Sequence, residues 1–254
     1  MKKTLFISII VALTTAACGN KQQAADEPAD NMAISTHQNA PGDSALYGLA
    51  CDGSTDSMLV LLPYAGGDPD TFDIVKASKQ NRVFGRPHIG DELAVILNPN
   101  NRAEALMVIN TKELTGDWCY MVRPTLRQTI DNQQMRRQAK GALPDSIRQL
   151  LEKQLEYTIR LKADNSATTH GGMRMHTTTD EVSPIEYPML KRYTEWHLAN
   201  GQIILKADTI SGFSPEGALP ESDTATIIVL TKDTLVLQYS DHEQGYYRKT
   251  DKDN

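Results

Sequence analysis

The chain has 254 residues, 40% of them hydrophobic, with a formal net charge of −6 and a pI near 5.5. That length allows one or two domains with real cores, and an acidic balance without a basic stripe argues against a nucleic-acid partner. The densest basic cluster, Arg123, Arg127, Arg136, Arg137 and Lys140, falls in a segment with helical patterning and reads as a solvated helix face.

At the N-terminus, Lys2 and Lys3 precede an apolar run from Leu5 to Leu13, too short to span a bilayer and of signal-peptide length. The following Thr14-Thr15-Ala16-Ala17-Cys18 resembles a bacterial lipobox, which implies cleavage ahead of Cys18 and lipidation of its thiol and new amino terminus. Ordinary secretory cleavage near Ala16-Ala17 is the alternative, and either route takes the mature chain out of the cytoplasm. Residues 19–44 are polar and poor in apolar side chains, as expected of a flexible tether. Lys21 comes before the first acid, Asp26, whereas surface-export signals in Bacteroidetes lipoproteins place acids directly after the cysteine; the expectation is an outer-membrane anchor facing the periplasm. Once Cys18 is lipidated, Cys51 and Cys119 remain in a compartment that permits disulfides, so they are either bridged or two free thiols.

Residues 45–110 read as a small β-barrel module of OB or SH3-like size. Leu46 to Cys51 and Met58 to Pro63 alternate around an Asp52-Gly53 turn. Short strands follow at Phe72 to Lys76 and Arg82 to Phe84, then an apolar strand entered at Gly90-Asp91, and a last one at Leu106 to Asn110. Ser54 and Ser57 lack a Gly-x-Ser-x-Gly elbow or a nearby histidine, and belong to the turn. Without interleaved basic and aromatic residues, the module suits a structural or docking role.

A second domain is expected over 111–250, opening on Leu114-Thr115-Gly116-Asp117-Trp118. A helical insertion over 126–156 interrupts it, with Ile147, Leu150, Leu151 and Leu155 at helical spacing, a stripe suited to packing across one barrel mouth. Period-two strands then run through Tyr157 to Lys162, Ala167 to His170, Arg192 to Leu198, Gln202 to Ala207 after the Asn200-Gly201 turn, Thr224 to Leu230, Leu235 to Tyr239 and Gly245 to Lys249. This spacing specifies an antiparallel meander that closes as an up-and-down barrel or a strongly curled sheet. Within it, His170, Met173, Met175 and His176 put imidazoles and thioethers close together, a donor set that suits copper outside the cytoplasm; alternation alone also accounts for the two methionines as core. No nucleophile is paired to a base and no metal triad is visible, so no enzyme activity and no cofactor are expected.

The order and spacing of Leu114-x-Gly116-x-Trp118, Tyr157-x-Ile159-x-Leu161, Trp196-x-Leu198 with Asn200-Gly201, Ile228 to Leu237, and Tyr247-Arg248 resemble the lipocalin-like lipoproteins of Bacteroidetes. The resemblance implies a mainly β chain with a lipocalin-like barrel in its C-terminal half, plugged by Trp118, Trp196 and Arg248. It further implies a small apolar ligand, for which Tyr157, Ile159, Leu161, Leu205 and Leu237 are the candidate lining. Equally, the same side chains could fill the barrel and leave a structural or assembly lipoprotein. The expected partners are the membrane through the lipid anchor, a hydrophobic ligand, and an envelope protein.

Overall fold

Apolar–polar alternation dictates the first elements. In the computed structural model, which describes residues 41–127, 143–171, 184–188, 190–208 and 222–249, β1 (Leu46–Ala50) and β2 (Met58–Pro63) pair antiparallel across the Asp52-Gly53 turn. Gly53 supplies the positive φ of 89° that the turn requires. Ser54 braces it: Oγ donates to the Cys51 carbonyl at 2.9 Å and accepts from the Val60 N–H at 3.0 Å. After β3 (Asp70–Asp73), alternation would extend the strand to Lys76, but the chain turns into α1 (Val75–Lys79). The cause is Asp73, whose Oδ1 accepts from the Val75 N–H at 2.8 Å and ends the extended run. Next come β4 (Val83–Phe84), β5 (Glu92–Asn98) and β6 (Asn101–Asn110). Five of these strands close on themselves in the order β1-β2-β3-β6-β5, the ring shutting through a parallel contact between Asp73 and Glu104. Leu59, Leu61, Leu93, Val95 and Val108 are buried together as its core.

A short α2 (Thr111–Leu114), capped by the Asn110 side chain on the Glu113 N–H at 3.1 Å, leads to β7 (Gly116–Val122). Then follow β8 (Thr125–Leu126), α3 (Asp145–Glu152), β9 (Leu155–Leu161), β10 (Ala167–His170), β11 (Ile185–Glu186), β12 (Tyr193–Ala199), β13 (Gln202–Ala207), β14 (Ser222–Leu230), β15 (Thr234–Gln238) and β16 (Glu243–Arg248). Eight of them form one antiparallel sheet in the order β10-β9-β7-β16-β15-β14-β13-β12. Its edge strands almost meet, through a bridge between Ser166 and Glu195 and a Trp196 N–H donated to the Asn165 carbonyl at 2.8 Å. The chain is therefore mainly β, with one closed five-stranded barrel and one nearly closed eight-stranded sheet.

The insertion differs from the helical expectation over 126–156. It opens on β8, which pairs with the distant β11 through Leu126 and Ile185, and it ends where Leu155 enters β9. Helix α3 buries none of its residues: Ile147 and Leu151 are half-buried and Leu150 is 39% exposed.

Two bulges set what faces inward in the large sheet. The register shifts between Tyr193 and Glu195 on β12 and between Ile227 and Val229 on β14. Tyr193 and Trp196, three apart, are consequently both buried, as are Ile227 and Leu230. At one end of this sheet, Arg248 lies over the Trp118 ring, 4.1 Å from its centroid, and the indole N–H donates to the Leu114 carbonyl at 2.8 Å. The small barrel packs here. Tyr47, Phe84, Met107 and Ile109 share a core with Trp118, Leu198, Ile203 and Leu230, the Gly85 N–H donates to the Leu230 carbonyl at 3.0 Å, and Tyr47 Oη donates to the Leu198 carbonyl at 3.1 Å. All the described residues belong to one compact unit, residues 35–254.

Cys51 and Cys119 are free thiols and not bridged. They belong to different sheets: Cys51 Sγ faces its own Leu49 carbonyl, whereas Cys119 is buried between β7 and β9 with Sγ 3.2 Å from Thr158 Oγ1.

Gly116 has φ 132°, and a Cβ there would overlap Arg248 Nη1. Gly116→Ala is expected to cost about 2 kcal/mol in urea unfolding by expelling the guanidinium. Gly245→Ala, into open space on β16, is expected to change stability by less than about 0.5 kcal/mol; equal effects at both positions would contradict this account of the seal.

Candidate functional site

Strand periodicity that seals one end of the large sheet builds a different surface at the other. Side chains two residues apart share a face and lie about 7 Å apart along a strand. Tyr120 follows Trp118 on β7, Tyr246 precedes Arg248 on β16, and Tyr239 follows Leu237 past the end of β15. Tyr193, turned inward by the β12 bulge, joins them. These phenols surround a cavity of about 560 Å³ whose lining also includes Ile159, Leu190, Lys191, Asp223 and the Ser240 to His242 turn. The remaining interior is packed, with Ile203, Leu205, Ile227 and Leu235 nearly or wholly inaccessible.

The polar groups of this cup are bonded into two sets. Asp223 accepts from Tyr193 Oη at 2.6 Å and from Lys191 Nζ at 2.7 Å. Tyr239 Oη and Tyr246 Oη lie 3.0 Å apart, and the Tyr120 ring meets the Tyr157 and Tyr246 rings edge to face at 5.7 and 5.2 Å. On the rim, His242 stacks on Tyr239 at 4.9 Å and contacts Asp241 Oδ1 through Nδ1 at 2.7 Å. Burial pushes the Tyr120 hydroxyl up to about 12. Burial, followed by the hydrogen bond to Asp223, raises Tyr193, and burial with the repulsion of Tyr239 raises Tyr246. The cup therefore presents neutral phenols at physiological pH.

Of the lining expected from sequence, Ile159 borders the cavity, while Leu161, Leu205 and Leu237 lie in the packed core. Tyr157 is buried beside it with Val122 and Leu190, its hydroxyl donating to the Pro188 carbonyl at 2.7 Å. Trp118 and Trp196 are 1% and 4% exposed, and Trp196 donates its indole N–H to the Lys162 carbonyl at 2.8 Å. Cys18, Met173, Met175 and His176 lie outside the described residues; His170 ends β10 and is exposed. Among the described residues, no three His, Cys, Asp or Glu side chains cluster as metal ligands, and no helix is long and apolar enough to cross a membrane. The sequence reading missed Tyr120, Tyr239 and Tyr246, whose signal was their even spacing from Trp118, Leu237 and Arg248. It also missed Tyr193, Lys191 and Asp223, which only the bulge and the β12–β14 neighbourhood bring together.

Comparison with known protein families, with characterised proteins and with solved structures returned no match.

Of the nine tyrosines, Tyr47, Tyr64, Tyr120, Tyr157, Tyr193, Tyr239 and Tyr246 are all raised, with burial the first cause in each. A raised folded-state pKa gives stability that is complete below the ordinary value near 10 and is lost as pH climbs above it. Alkaline titration followed by phenolate absorbance and circular dichroism is expected to show these seven phenols ionising only as the β signal collapses. All of them ionising near pH 10 with the β signal intact would refute the buried cup.

Proposed function

We propose that the chain is a lipid-anchored cell-envelope binding protein that holds a small molecule in the tyrosine cup. The observation that carries this reading is a cavity of about 560 Å³ at one end of an otherwise packed sheet; ligand sites of this size, lined by aromatics with a few placed polar groups, are common in barrel mouths. The strand arrangement and the Trp118–Arg248 contact support a lipocalin-like assignment for the second barrel. For the first, the ring β1-β2-β3-β6-β5, with a parallel closing pair and α1 after its third strand, is similar to an OB-type barrel. In this proposal Cys18 carries the lipid, the tether from residue 19 spans from the outer membrane into the periplasm and ends where Asp43 and Ser44 bond to Asn200, the small barrel buttresses the sealed end, and the cup faces away from it. The protein acts by tethered capture and not by catalysis. The ligand is confined to the cup, because leucine and isoleucine already occupy the interior that an elongated apolar guest would need.

One measurement tests both halves. Gln244 lies two residues before Tyr246 on β16 and lines the cup, so Gln244→Trp should fill it. Intact-mass analysis of protein purified gently from membranes is expected to show acyl mass on Cys18 in wild type and variant alike. A further non-covalent mass should be present in wild type and absent from Gln244→Trp. A non-covalent mass retained by the variant would remove the cup from the proposal, and an unmodified Cys18 would remove the anchor.

A further inference from the structure

We infer that the cup selects a neutral, hydroxyl-bearing ring compound of mono- or disaccharide size over an acyl chain or an organic cation; this rests on the binding reading above. The spare hydrogen-bonding capacity points that way. In the Tyr239–Tyr246 pair one hydroxyl donates to the other, which leaves one phenolic proton for a guest. Tyr120 Oη has no hydrogen-bond partner among the described residues and leaves a second. The Tyr193 proton is committed to Asp223. Each phenol also keeps lone pairs, so the cup offers donors and acceptors side by side, as alternating ring hydroxyls require. Its aromatic rings add flat apolar surface for the C–H faces of such a ring.

The competing chemistries fit less well. An acyl chain would strip water from these phenols and return no hydrogen bond, and the aliphatic lining is confined to Ile159 and Leu190. A cation can be held by aromatic faces alone, but the Asp223 carboxylate that would add to that attraction here is already bound by Lys191 and Tyr193. The Lys191 ammonium, 2.7 Å from Asp223, would itself repel a cationic guest.

Calorimetric titration of the full chain with glucose, N-acetylglucosamine, maltose and lactose, and separately with choline and laurate, tests this directly. At least one neutral saccharide is expected to bind, with Tyr120→Phe weakening it about fivefold, Tyr239→Phe weakening it similarly, and Gln244→Trp abolishing it. These phenylalanine variants keep the ring contacts, so a loss reports the hydroxyl. Binding of laurate or choline that Gln244→Trp abolishes, with no saccharide bound, would overturn the saccharide class while leaving the cup as a site. Saccharide binding that survives Gln244→Trp would overturn the inference by placing the site elsewhere, and binding of no probe at all would overturn the saccharide class, the co-purified mass in wild type then deciding the binding reading separately.

Discussion

A guanidinium held face-on over an indole is the contact on which the rest of the large sheet depends. Arg248 is the last residue of β16, and its side chain donates to the Lys232 carbonyl at 2.5 Å, to the Thr115 carbonyl at 2.7 Å and to the Glu113 carbonyl, while covering Trp118. Those carbonyls belong to the β14–β15 turn and to the α2–β7 junction, segments more than 100 residues apart in the chain. A half-buried charge is tolerable when its donors are satisfied, and burial lowers its pKa. Gly116 is glycine because the same guanidinium occupies the space that a Cβ would take. The closed end is thus a single bonded unit, and the small barrel covers it with Tyr47, Phe84, Met107 and Ile109.

With one end sealed and buttressed, chemistry is left to the other. Strands β7 and β16 carry the seal and the cup on the same face, separated by one step of the pleat: Trp118 and Arg248 below, Tyr120 and Tyr246 above. The other strands contribute aliphatic side chains to the same core, among them Leu205, Ile227 and Leu237. The question of whether the barrel is hollow or filled therefore has a divided answer along its length. The packed part needs no ligand, and the cavity begins where leucine and isoleucine give way to tyrosine.

Much of this was legible in the sequence, for a local reason. Alternation and the Asp52-Gly53 and Asn200-Gly201 turns depend on neighbours, and they located β1, β2, β13 and most of the meander. Trp118 was recognisable as core from its Gly-x-Trp setting. What stayed hidden depended on distant partners. The β12 bulge moves Tyr193 to the inside and breaks the period that would have found it. Asp223 and Lys191 are 32 residues apart, and only the sheet order unites them. The candidate lining Leu161, Leu205 and Leu237 had the right facing but is packed into the core, Leu205 and Leu237 even though they pair with the cup residues Asp223 and Gln244, because alternation reports which face a residue takes and not whether open space lies before it. Strand β8 was lost because the sequence after it has helical patterning, while the partner of Leu126 is the distant Ile185.

The two ends of the large sheet differ in kind, one sealed by Arg248 over Trp118 and the other open at the tyrosines. Relaxation of proton resonances by a neutral, soluble gadolinium chelate reads both ends in one spectrum. The account predicts weak relaxation of the Trp118 and Trp196 indole N–H signals and strong relaxation of ring protons of Tyr239 and Tyr120. Strongly relaxed indoles beside protected Tyr239 and Tyr120 rings would contradict it.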